Sequence, residues 1–135
     1  MSRQFHWTDL TMSGETLATK DAVDPIIREG YLGELADAYL PAGTDRKDPQ
    51  VSPLYADLKG LPPTLIQVGS AETLLADATR FAAAAGAASV RVTLEIWPHM
   101  IHAWHLWNAH LEPGRSAMLE CSFVNACEIR AGRKR

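Results

Sequence analysis

Three of the five histidines of the chain stand within seven positions, in Trp97-Pro98-His99-Met100-Ile101-His102-Ala103-Trp104-His105, directly after a run that reads as a β-strand. Imidazole is the side chain that exchanges a proton near neutral pH, so three of them at a strand end point to proton transfer or to a metal. A second strand-like run ends just before an acid, in Val68-Gly69-Ser70-Ala71-Glu72. A carboxylate accepting from Nδ1 of His102 would fix the ring tautomer and stabilise the imidazolium, leaving Nε2 as a general base. Glu72 and His102 are therefore the candidate catalytic residues, the acid and base of a relay that still needs a nucleophile.

The competing readings are weaker. His99 and His105 flank His102 at a spacing of three, but no thiolate or carboxylate stands beside them to complete a zinc set, so no metal site is assigned. Trp97, Trp104 and Trp107 could wall an acyl pocket or pack as core, and Ile101 and Trp104 are kept as weak substrate-binding candidates. Asp77 is a second acid near Glu72, and five residues on along a helix it should point elsewhere, toward solvent. Asp48 and Ser52 should organise a loop through backbone hydrogen bonds.

The elements that must carry these residues are partly legible. Residues 2–14 read as loop, with room for a short strand. From Asp21 to Leu40, Ile27, Tyr31, Leu35, Ala38 and Tyr39 recur at helical spacing behind Asp24-Pro25, an N-cap with proline in the first turn, giving one helix or two short ones. Pro41–Pro63 is rich in proline and reads as a long ordered loop with at most one helical turn. Thr64–Val68 is a short apolar run expected to be a strand buried on both faces. Residues 71–85 place Leu74, Leu75, Ala78, Phe81, Ala82 and Ala85 on one stripe and should close at a Gly86 C-cap. Val90–Trp97 alternates Val90, Val92, Leu94 and Ile96 inward with Arg91, Thr93 and Glu95 outward, the period of a strand. Strand, helix and strand in this order form a βαβ unit with parallel strands and a right-handed crossover. Ser116–Gly132 closes the chain as a helix with Met118, Leu119, Phe123, Ala126 and Ile129 apolar.

Bulk properties bound what such a molecule can be. With 135 residues there is room for one domain, and a hydrophobic share of 47% against 21% charged places it among globular proteins. A net charge of −3 gives no electrostatic reason to expect nucleic acid or an anionic membrane surface, and the basic Arg130–Arg135 run is expected to be a solvated tail. The first residues lack the apolar core of a signal peptide and no apolar run could span a bilayer, so a cytoplasmic location is the expectation. Cys121 and Cys127 would face different ways on one helix and are expected to be free thiols.

Trp7-Thr8-Asp9-Leu10, Asp48-Pro49-Gln50-Val51-Ser52-Pro53-Leu54, Leu61-Pro62-Pro63-Thr64-Leu65-Ile66-Gln67-Val68-Gly69, Glu72-Thr73-Leu74-Leu75 and Met100-Ile101-His102 together resemble the C-terminal portion of α/β hydrolases of the hormone-sensitive lipase type, which include bacterial carboxylesterases and lactone hydrolases. The likeness runs from about Trp7 to the last helix. It implies an α/β fold, here the last parallel strands of an α/β-hydrolase sheet with flanking helices. Residues of about 15–42 would form a cap-like helical segment, and about 61–132 the strand-helix-strand-helix part. It also implies that Glu72 is the triad acid, a position usually held by aspartate, that His102 is the triad histidine, and that no cofactor is required.

One part of the family pattern is missing. These enzymes carry a G-x-S-x-G nucleophile elbow and an H-G-G-G-type oxyanion loop upstream of the acid and the histidine. No two glycines are adjacent here, and none of the seven serines has glycine two positions away on both sides. Ser70 and Ser116 come nearest; Val68 and Glu72 stand where the first would need glycine, and Met118 follows the second without a strand before it. The expectation is a C-terminal segment, about the last two-fifths, of a serine carboxylic-ester hydrolase for small esters or lactones, its nucleophile outside this chain. The alternative is a noncatalytic remnant or interaction module, forming a homodimer or pairing with another chain through exposed strand edges.

Overall fold

The computed structural model describes residues 7–121. Two parallel strands form its centre: β1 (Thr64–Gly69) and β2 (Val92–Trp97) pair in register from Thr64 opposite Val92 to Gly69 opposite Trp97. Helix α3 (Leu75–Ala87) connects them, so the predicted βαβ unit is present with its strands parallel. All six residues of β1 are buried, Thr64 and Gln67 among them. On one face, Ile66 and Val68 pack with Ala78, Phe81 and Ala85 of α3 and with Leu58 and Val90 in the main core. The other face, carrying Leu65, Gln67 and Gly69, is set by the two-residue period of the strand.

β2 departs from its predicted alternation. Ile96 is 47% exposed, whereas Glu95 is only half-exposed because it bonds across the ladder to Gln67. Glycine does not end α3 either: Gly86 lies inside the last turn, and the left-handed residue is Ser89 at φ 65°. The Val90 N–H bonds Ala85 O and the Ser89 N–H bonds Gly86 O, which is a Schellman closure with serine where glycine is usual. Buried Val90 and Ala85 share the main core and supply its hydrophobic contact.

The segment before the sheet folds as two helices, α1 (Glu15–Lys20) and α2 (Glu29–Tyr39). The predicted apolar stripe of α2 faces out: Tyr31, Leu35 and Tyr39 are exposed, while Leu32 and Ala36 are buried. Leu32 joins Leu17 and Leu74 in a second, smaller core, because α2 meets the rest of the molecule along a narrow strip. Asp24 does not cap a helix. Its side chain is buried and its Oδ1 accepts the Ile26 and Ile27 N–H groups, so the aspartate closes a local turn and α2 starts only at Glu29.

The long loop is ordered by the two residues expected to do so. Asp48 Oδ1 accepts the Gln50 N–H, and buried Ser52 donates to Arg46 O at 2.6 Å while accepting the Leu10 N–H at 2.8 Å. A single 3₁₀ turn, Pro53–Tyr55, interrupts it. After β2 comes a 3₁₀ helix, Trp104–Trp107, and then a final helix that begins at residue 112, four positions before the expected start. Its buried face is Gly114 and Ala117, and Met118 and Leu119 are exposed. A Cβ on Gly114 would come within 3.0 Å of Asn108 Cα and 3.2 Å of Trp104 O, so small residues let this helix close on the Trp104 turn. Phe123, Ala126, Cys127, Ile129 and the basic run lie outside the described residues.

Candidate active site

Glu72 lies in the turn between β1 and α3, and His102 in the loop between β2 and the Trp104–Trp107 turn. Both leave the carboxyl ends of parallel neighbours, the edge where functional groups gather in such sheets. His102 Nδ1 and Glu72 Oε1 are 3.0 Å apart, and both side chains are buried. The other oxygen, Oε2, accepts the Gly69 N–H at 2.9 Å. Held at both oxygens, the carboxylate can turn neither away from the ring nor into solvent. Because a carboxylate only accepts, His102 places a proton on Nδ1, and Nε2 is the nitrogen able to take another.

Two features bring the pair together. Met100 O accepts the Ala71 N–H at 3.0 Å, drawing the His102 loop over the end of β1. That approach requires Gly69, since a Cβ there would lie 2.0 Å from Met100 O. His99 and Ala103, at φ 61° and 55°, turn the chain sharply on either side of His102. Behind the acid, Thr73 is bolted to the first helices: its N–H bonds Asp24 Oδ2, its hydroxyl bonds Ile27 O, and its carbonyl accepts from Thr16 Oγ1. The turn carrying Glu72 is thus fixed from the sheet side and from the helical segment.

The remaining candidates are spread around this pair. Ser70 Oγ accepts the exposed His99 N–H at 2.8 Å, and Ser116 Oγ donates to Glu112 within the final helix. His105 is buried and its Nε2 lies 3.0 Å from Gln67 Oε1. Trp104 is buried, its ring 6.2 Å from that of Trp97 and 3.9 Å from that of His105. Ile101 is half-buried and Trp107 is 42% exposed. A groove of about 280 Å³ lined by Asp37, Leu40 and Arg46 sits past the end of α2, and neither Glu72 nor His102 lines it.

Asp77 is the clear correction. It is buried, not solvent-facing: Oδ2 accepts the Thr8 and Asp9 N–H groups, both at 3.0 Å, and Oδ1 accepts from Arg80. Its work is to dock the Thr8–Ser13 segment on α3. The helix begins at Leu75, after Glu72, so helical spacing between the two acids had no basis. Burial pushes Asp77 above the usual carboxylate range, more than the Thr8 N–H and Arg80 lower it. Burial would raise Asp9 as well, but hydrogen bonds from Ser13, Thr11 and Arg80 outweigh it and hold Asp9 at about 2.

Comparison with known proteins identifies the family. Residues 5–106 match a family model described as an alpha/beta hydrolase fold. An acetyl-hydrolase of Streptomyces hygroscopicus is 44% identical over 112 residues, covering 83% of this chain and 37% of that protein. An esterase of Acinetobacter venetianus is 36% identical, over 84% of this chain and 38% of its own length. Among solved structures, a hormone-sensitive lipase from a metagenome library superposes with a TM-score of 0.82 at 41% identity, covering 88% of this chain and 41% of that one. The chain belongs to the α/β hydrolases of the hormone-sensitive lipase type. It spans about two-fifths of the length of these relatives.

Proposed function

We propose that this chain is the acid-and-histidine portion of a serine carboxylic-ester hydrolase acting on small acyl esters or lactones. Glu72 is the triad acid and His102 the general base, and the nucleophilic serine and oxyanion donors come from residues outside this sequence. The 3.0 Å contact between His102 Nδ1 and Glu72 Oε1 carries the reading. In the assembled site the serine hydroxyl attacks the ester carbonyl while His102 Nε2 removes its proton. The resulting imidazolium, stabilised by Glu72, gives that proton to the departing alcohol, and water cleaves the acyl-enzyme by the same route. Residues 15–42, joined to the acid turn through Asp24 and Thr73, belong to the cap in this reading.

The test joins the part of the Streptomyces acetyl-hydrolase that precedes the matched region to this chain, and assays a short p-nitrophenyl ester. Turnover is expected in the fusion and negligible from the chain alone. His102→Ala in the fusion should lower kcat by about 10⁴-fold or more. A fusion whose turnover survives His102→Ala, or a purified 135-residue chain whose turnover is lost in that variant, contradicts the proposed division of the site.

A further inference from the structure

His102 is held from three directions, and only two involve the acid and Gly69. The third lies downstream, where the loop enters the Trp104–Trp107 turn and His105 is fixed to Gln67 of β1. Gln67 occupies the same strand face as Gly69, two residues before it. The upstream flank of His102 rests on Gly69 and Ala71 through Met100, and the downstream flank rests on Gln67 through His105. One strand therefore grips the loop on both sides of the ring.

The orientation of the Gln67 amide follows from its partners. Nε2 lies 2.8 Å from Glu95 Oε2 and 3.1 Å from Ala117 O, both of which only accept. Oε1 must then face His105 Nε2 at 3.0 Å and Cys121 Sγ at 3.2 Å. An amide oxygen cannot donate, so His105 carries its proton on Nε2. Burial, and Glu95 nearby, push the Cys121 thiol up, which keeps it an S–H donor. Both donors and both acceptor sites of the amide are used, and the Glu95 oxygen that receives it also accepts Trp97 Nε1 at 3.2 Å. The amide ties together β1, β2, the Trp104–Trp107 turn and the final helix.

We infer that Gln67 is a positioning residue for His102, acting through His105, so that the two imidazoles are held in opposite tautomers, Nδ1–H at His102 and Nε2–H at His105. The inference rests on the reading of His102 as the proton carrier partnered by Glu72. Replacing the amide frees His105, loosens the turn three residues beyond His102, and lets that ring leave Glu72.

Two-bond proton–nitrogen spectra of the ¹⁵N-labelled 135-residue chain, recorded at a pH where both rings are neutral, test this directly. The unsubstituted protein should show His105 as Nε2–H and His102 as Nδ1–H with a slowly exchanging proton. Gln67→Met, which keeps the length of the side chain, should convert His105 to a tautomer mixture and abolish the slow His102 Nδ1–H signal. Should Gln67→Met not fold, His105→Gln and His105→Phe decide: the former retains an N–H donor and should keep the His102 signal, the latter should lose it. A His102 signal that persists in Gln67→Met or His105→Phe, with only the unfolding midpoint lowered, overturns the inference and reduces Gln67 to a structural residue. A His105 found as Nδ1–H overturns it too. Absence of the Nδ1–H at His102 in the unsubstituted chain instead removes the acid–histidine pair itself, and this inference with it.

Discussion

Gly69→Ala should damage the site more than its single added methyl suggests. The new Cβ would lie 2.0 Å from Met100 O and 2.5 Å from Met100 C, both backbone atoms that no rotamer change can move. Tolerated carbon–oxygen contacts begin near about 3.3 Å, so the Met100 peptide must retreat by roughly 1.3 Å or β1 must shift by the same amount. The Ala71–Met100 hydrogen bond starts at 3.0 Å and would stretch beyond bonding range. So would the 3.0 Å bond from His102 to Glu72, two residues along the same loop. Overpacking of this kind costs about 1–3 kcal/mol. A displacement near 1 Å in a working site costs about 10²-fold in rate. Urea unfolding of the chain reads the first effect, and the slow His102 Nδ1–H signal reads the displacement of the ring from Glu72. An unchanged urea midpoint together with an intact His102 signal would refute the reasoning, because the loop would then have room that the backbone contacts deny.

Ser89→Gly should stabilise the chain by about 0.5–1 kcal/mol, since glycine removes the left-handed penalty at the Schellman position and gives part of it back as unfolded-state entropy; thermal unfolding checks it. Asp9 drops from the ordinary 3.8 to about 2 on folding, and a depressed acid contributes stability that is complete above the unfolded value and lost as pH falls through the folded one. That contribution is about 2 kcal/mol, disappearing between about pH 5 and pH 2. Asp77 has the opposite sign: raised on folding, it costs stability as pH climbs through its folded value. Asp9→Asn should therefore lower the urea midpoint at neutral pH and flatten its fall at low pH, and a variant that keeps the full acid dependence would show that other carboxylates carry it.

The parts of the fold that could be read in advance are those where local pattern and tertiary environment agree. Thr64–Val68 is apolar at three of its five positions and is bounded by Pro62-Pro63 and Gly69, and it is buried throughout. The stripe of α3 carries Ala78, Phe81 and Ala85 into the core as its period requires. Tyr31, Leu35 and Tyr39 also repeat at helical spacing, yet periodicity says only that one face is apolar, not that anything in this chain covers it. Asp77 and Asp24 were misplaced for a related reason. Each is an acid bonded to backbone N–H groups, and Asp77 reaches residues 69 and 68 positions away, distances at which no sequence window carries a signal.

In the candidate site, the meeting of Glu72 and His102 was legible because strand ends are and because the segments around them resemble a family. What holds them was not. Gln67 looks like a flaw in an apolar strand, and as a central-strand residue it would be expensive unless all its polar atoms were met. That expense is the missing signal: a buried amide in such a run implies donors and acceptors arriving from at least two other elements. Here they arrive as His105, Glu95, Ala117 and Cys121, none of them near it in sequence. Gly69, two residues later, is the complementary case, where the absence of a side chain admits the Met100 backbone. Within six residues, Gln67 to Glu72, the end of β1 thus supplies an amide that fixes one flank of the histidine loop, a gap that seats the other, and the carboxylate that meets the ring between them.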